Sequence, residues 1–215
     1  MHITVVGIGR FAQPPELGTL TVTAGFESAD QGEALARTTE LIAQLTERVR
    51  RLEAQDPSPI TTCRVLPIQT QTWRPYADSG EVMPERHSAS ARMLVTFRDL
   101  AALSGFVDEV GGVAGVALVG VDWSLTEATR DRTEAAVLAE AVARARSRAT
   151  IVAHAAGALD VQFREIADPG LLGAGPAQEQ VFAAFAREAR DEAGIELAPE
   201  DIVTTATLHV RFEAT

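Results

Sequence analysis

The residue types that do most protein chemistry are sparse in this chain of 215 residues and are not spaced for it. Its four histidines, His2, His87, His154 and His209, lie far apart, and none has the i, i+4 or short-loop spacing of metal ligands. They read as surface or core polar residues. Cys63 is the only cysteine, which rules out an internal disulfide and leaves the redox compartment open. On a predicted strand it reads as a small buried hydrophobe, with a reactive thiol as the alternative that its exposure decides. No serine sits in a G-x-S-x-G elbow. All 19 basic residues are arginine, so there is no Schiff-base lysine and no phosphate-binding P-loop lysine. Glu134, Glu140, Asp160 and Glu165 could work as acid and base only if the fold paired them, and helical carboxylates usually form a solvated face.

Glycine-rich stretches offer no cofactor cradle. Gly7-Ile8-Gly9 lacks the third glycine of a dinucleotide loop, and Pro14 and Pro15 follow where a helix should begin. GGVAGVALVG at 111–120 leads from a helix into a strand, the reverse of the order that cups phosphate. No catalytic, cofactor-binding or metal-ligating residue is assigned, no cofactor is expected, and the chain is expected not to be an enzyme. The residues best suited to function lie in the polar stretch 70–88. There Trp73, Arg74, Tyr76 and Arg86 are the types that anchor interfaces, the alternative being aromatics that pack back on their own sheet.

The bulk composition frames this. The length suits one domain, or two intimately packed subdomains of about 1–128 and 129–215. Hydrophobic residues make up 46% and charged residues 23%, close to globular averages, and no run nears the roughly 20 apolar residues needed to span a bilayer. A net charge of −11 argues against nucleic acid, whose binders need a basic face. The start, MHITVVGIGRFAQPPELG, has no basic leader or long apolar stretch. The protein as written is expected in the cytoplasm. A chain whose leader had been removed would read the same and would be periplasmic or exported.

The elements that must position these residues follow from periodicity. Ile3–Ile8 reads as a strand. Leu20, Val22, Ala24 and Phe26 alternate with Thr19, Thr21, Thr23 and Gly25 in a second strand with one wet face. Asp30 and Glu33 open a helix to about Ala54, with Leu35, Ile42 and Val49 seven apart and Thr38, Leu45 and Leu52 between them. That stripe is expected to lie on its own sheet rather than in an intermolecular coiled coil. Ile60–Thr72 and Ser90–Phe97 make a hairpin around the 70–88 loop, with Ala91, Met93, Val95 and Phe97 inward. Asp99 caps a short helix that Gly111 and Gly112 stop. Val116–Leu125 alternates with Val119, Val121, Trp123 and Leu125 on one face.

A helix over about 130–156, opened by Thr129 or Asp131 and closed by Gly157, follows. Ala141, Ala145, Ala149 and Ala156, with Val137, Leu138, Val142 and Val152, give it a flat face that a partner backbone can approach closely. Val161–Ile166 is a short strand and Gln178–Ala193 an amphipathic helix. Thr204–Phe212 is a last strand with Ala206, Leu208, Val210 and Phe212 inward. The fold class is α+β, antiparallel sheets with packed helices.

The order of VVGIGR, TLTVTAGFES, RHSASARMLVTFRDLAALSGFVDEV, EAAVLAEAVARARSRATIVAHAAGALD and PEDIVTTATLHVRFEAT resembles the SIMPL-domain family, which includes periplasmic immunogenic proteins of Gram-negative bacteria. The resemblance implies antiparallel strands with helices packed on them, no established enzyme activity, and in exported members a tendency to ring-like homo-oligomers. Links to stress tolerance, and in animals to signalling kinases, attach to no motif in this chain. The expectation is a non-enzymatic homo-oligomeric assembly or binding module of unknown ligand. The alternative is a small-molecule binder or hydrolase with a pocket between the long helix and the sheet that holds Trp123.

Overall fold

The computed structural model describes residues 1–75, 83–171 and 199–215. In chain order its elements are β1 (His2–Gln13), β2 (Leu17–Ser28), α1 (Gln31–Glu53), β3 (Ile60–Val65), β4 (Gln69–Trp73), β5 (Arg86–Phe97), α2 (Leu100–Gly111), β6 (Val116–Ser124), α3 (Glu127–Ala155), β7 (Val161–Ala167) and β8 (Ile202–Ala214). Every strand pairing is antiparallel, so the chain is α+β. It forms two compact units, one of residues 15–124 and one of residues 1–14 with 125–215. The expected helix 178–193 lies outside the described residues.

In the unit of residues 15–124, β5 and β2 are the central strands, with β6 beside β2, and β3 and β4 in succession beside β5. β3 and β4 are one path broken at Pro67, which lacks an N–H for the ladder. Leu20, Val22 and Ala24 of β2 pair with Val95, Met93 and Ala91 of β5, and all six are buried. α1 covers this face. Asp30 caps it by accepting from the Glu33 N–H at 2.8 Å, while the Glu33 carboxylate takes the Ser28 hydroxyl instead of closing a capping box. The buried stripe is Ala34, Thr38, Leu41, Leu45 and Val49, and Leu35 is 40% exposed. The seven-residue spacing thus placed Thr38, Leu45 and Val49 correctly but set Leu35 and Ile42 one position past the buried Ala34 and Leu41, because a helix on a sheet buries the 3.6-residue face and not a 3.5-residue seam. Thr38 sits in this apolar layer because its hydroxyl donates to the Ala89 carbonyl at 2.9 Å.

α2 is capped by the Asp99 carboxylate, which accepts from the Ala101 and Ala102 N–H groups. It brings Phe106 to Phe97 with ring centroids 5.6 Å apart. In β6 the expected alternation is interrupted. A register shift lies between Thr21 and Val22, opposite Gly120 and Leu118, so Val119 is an extra residue and is 50% exposed. A bulge of this kind reverses the facing of what precedes it. Leu118 pairs with Val22 in its place. Leu125 is buried but lies beyond the strand.

In the other unit, β8 is central between β1 and β7. Ile3 and Val5 of β1 and Leu208, Val210, Phe212 and Ala214 of β8 form one buried face with α3 on it. The strand β1 runs past Gly9 to Gln13, longer than its apolar residues suggest, because it pairs with β8 along its whole length. Helix α3 begins earlier than expected. Its cap is Thr126, whose hydroxyl accepts from the Thr129 N–H, and neither Thr129 nor Asp131 starts it. Its buried residues are Thr129, Thr133, Val137, Ala141, Ala145, Ala149 and Ala153, strictly every fourth position. Each step of four carries the stripe about 40° around a 3.6-residue helix, so a single ridge winds along the helix and follows the twist of the sheet. Ala153 therefore occupies the place expected for Ala156, and Leu138 and Val152 are exposed. Gly157, at φ +85°, closes the helix in the left-handed conformation that glycine takes at little cost.

Candidate functional site

The surface candidates gather at one end of the β4–β5 ladder. Pairing runs from Gln69↔Ser90 to Trp73↔Arg86, one step past the last β2 pair, Ser28↔His87. Odd-numbered residues of β5 face the helices, so Arg86, and with it Trp73, lies on the other sheet face. Trp73 is half-buried there and Arg86 is exposed. Arg74 follows and pairs with Glu85 at 3.4 Å, an exposed pair of little energetic weight. The Thr72 hydroxyl and His87 Nδ1 are 2.9 Å apart on the neighbouring rung. Trp73, Arg74 and Arg86 are thus brought together, and Tyr76 lies outside the described residues.

Cys63 pairs with Val95 across β3 and β5 and is half-buried. Burial, and after it the Glu53 charge, pushes its thiol above the ordinary value. Less thiolate forms near neutral pH, so the residue is a poor nucleophile. Native protein at pH ~8 should react with an aromatic disulfide reagent several-fold more slowly than urea-unfolded protein. Equal rates would show that the thiol is open and unperturbed.

Three of the four carboxylates considered for acid–base work are engaged separately, and the fourth is exposed. Glu165 pairs with Arg211 at 2.9 Å, Asp160 accepts from the Val161 N–H, and Glu134 is exposed. Glu140 accepts from the Arg10 backbone N–H at 2.8 Å and from Arg144 at 2.7 Å. These bonds, the Arg10 N–H first, hold its carboxyl below the ordinary value. A depressed carboxyl adds stability at pH above the unfolded-state value of about 4.3, and that stability is lost as pH falls through the folded-state value. Wild type should therefore exceed Glu140→Gln in urea stability at pH ~7, with the gap closing by pH ~3. A gap that does not change with pH would refute this. Among the described residues no three His, Cys, Asp or Glu side chains form a metal-sized cluster.

The two units also bear on the pocket expected beside Trp123. α3 buries its face on the β1–β8–β7 sheet, whereas Trp123 belongs to the other unit, where its ring packs where a Gly18 Cβ would come within 2.7 Å. That unit has a shallow cleft of about 270 Å³ lined by Phe26, Arg37, Glu40 and Gln44, with the Arg37 guanidinium 4.1 Å above the Phe26 ring.

What the sequence reading missed is the purpose of Gly7 and Gly9. A Cβ on Gly7 would strike the Ala141 carbonyl oxygen, and one on Gly9 the Val137 carbonyl oxygen. The alanines of α3 and the glycines of β1 together let the helix backbone rest directly on the strand backbone, and the glycine Cα–H groups point at helix carbonyls, a weak but recurrent contact. The signal was present as two glycines two apart on one strand face, facing alanines four apart.

This pairing of a glycine strand with an alanine helix runs from the start of the chain to α3, and its sheet closes with β8. A family model described as SIMPL, a protein of unknown function (DUF541), matches residues 3–212. The chain belongs to the SIMPL family. The match covers residues of both units. Comparison with curated proteins gives no match. No helix of the described part of this SIMPL domain is long and apolar enough to cross a membrane.

Proposed function

We propose that this SIMPL-domain chain is a non-enzymatic assembly or binding module that self-associates through the end of its β4–β5 hairpin. The observation that carries the reading is the Trp73↔Arg86 rung, a tryptophan and an arginine side by side on the sheet face away from α1. Those two types are the commonest interface anchors. A stress- or envelope-related role fits such a scaffold and rests on the family resemblance.

Light scattering at two concentrations tests this. The expected mass is a fixed multiple of the 22.9 kDa chain. Trp73→Ala with Arg86→Ala should weaken association at least ~30-fold, the effect of losing about 2 kcal/mol at an anchor. A monomer at tens of micromolar, or a mass unmoved by the double substitution, would sink the hairpin reading.

A further inference from the structure

The edge of β1 is the other surface that could take a partner. Met1 and Ala214 exchange backbone bonds, Met1 N–H to Ala214 O at 2.9 Å and Ala214 N–H to Met1 O at 2.8 Å. In the antiparallel register that follows, odd-numbered β1 residues bond to β8 and even-numbered ones point their N–H and C=O groups away. The Arg10 N–H does so, and Glu140 takes it. Among the described residues, the outward backbone groups of Thr4, Val6 and Ile8 have no backbone partner.

The row Glu140, Arg144, Arg148 of α3 flanks this edge. Glu140 closes it at Arg10, and Arg144 is held by Glu140. Arg148 has no ion-pair partner among the described residues. It lines a cleft of about 250 Å³ with Thr4, Val5, Val6 and His209, in a chain whose net charge is −11. Val6 and Ile8, 40% and 48% exposed, lie on the sheet face beside it.

We propose that the Thr4–Ile8 edge takes an extended acidic peptide as an added strand. Its main chain pairs with the outward groups of Thr4, Val6 and Ile8, a glutamate or aspartate side chain meets Arg148 beside His209, and its apolar residues lie on Val6 and Ile8. The outward edge amides supply affinity, and the Arg148 guanidinium selects the carboxylate.

The probe is a blocked, fluorescein-labelled hexapeptide alternating valine with threonine and carrying one central glutamate, read by anisotropy with the full chain. Saturable binding is expected. It should weaken at least ~10-fold when the glutamate becomes glutamine, or with Arg148→Ala, the worth of one charge-assisted contact. Val6→Pro removes only an outward N–H, which an edge strand tolerates, and should abolish binding with the circular dichroism unchanged. If Val6→Pro does not fold, a peptide N-methylated at alternate amides puts the same question to the wild-type chain and should not bind. Absence of saturable binding overturns the proposal, as does binding indifferent to Arg148→Ala and to N-methylation. So does a fall in oligomer mass with Val6→Pro, which would make the edge a contact between copies. Because Trp73 and Arg86 take no part, failure here leaves the hairpin reading standing, and the reverse.

Discussion

Gly9→Ala is expected to destabilise the protein by at least about 3 kcal/mol, the upper end of the cost of overpacking. The added Cβ points at the Val137 carbonyl oxygen of α3, a backbone atom that cannot swing aside as a side chain would. Either the helix lifts from the strand, opening the Ala141, Ala145 and Ala149 contacts, or β1 gives up bonds to β8. For a chain of this size the loss corresponds to a melting temperature lower by roughly 10 °C. Gly105→Ala supplies the matched control. It lies within α2, where an added Cβ meets nothing within 4 Å, and should stabilise by about 0.5–1 kcal/mol. Calorimetry of the two variants decides the matter, since a Gly9→Ala protein as stable as wild type would mean that α3 does not rest on β1.

Phe97→Ala is expected to cost about 3–5 kcal/mol, the range for removing a buried aromatic. Phe97 is fully buried, stacked at a tilt on Phe106, and in register with both Gly18 and Ile60 on its neighbouring strands. Its ring is held between a sheet strand flanked on both sides and α2, rigid elements that cannot readily close the cavity. Phe97→Leu should recover much of the loss. Urea denaturation gives both values, and a Phe97→Ala cost below about 1 kcal/mol would show that the site collapses freely.

How far the sequence reached depended on whether a signal was local. Asp30, Asp99 and Gly157 mark helix ends through bonds to their own neighbours, and those ends lie where the residues indicated. The inward sets Leu20–Val22–Ala24 and Ala91–Met93–Val95–Phe97 were legible because strand alternation needs no partner to be read. The errors arose where a distant element sets the answer. The Val119 bulge exists only against β2, the early start of α3 depends on a weak Thr126 cap, and Ala153 replaces Ala156 because a twisted sheet selects an i+4 ridge. Of the candidate surface, the residue types at Trp73, Arg74 and Arg86 were readable, but their meeting on one rung needed the β4–β5 register. The β1 edge was invisible in sequence, since nothing in VVGIGR says which amides point away from β8.

The pairing of His2 with Glu213 along the β1–β8 ladder also fixes an order of events during synthesis. Residues 15–124 are contiguous and can reach all their own partners once β6 has left the ribosome. β1 precedes the other described elements, yet its only strand partner among the described residues, β8, comes last of them, so their ladder cannot form until everything between has been made. Contacts this distant in sequence close slowly. Of the described strands, β1 is thus the one that stays longest without its partner, and an unpaired strand is the kind of segment that foreign strands can capture.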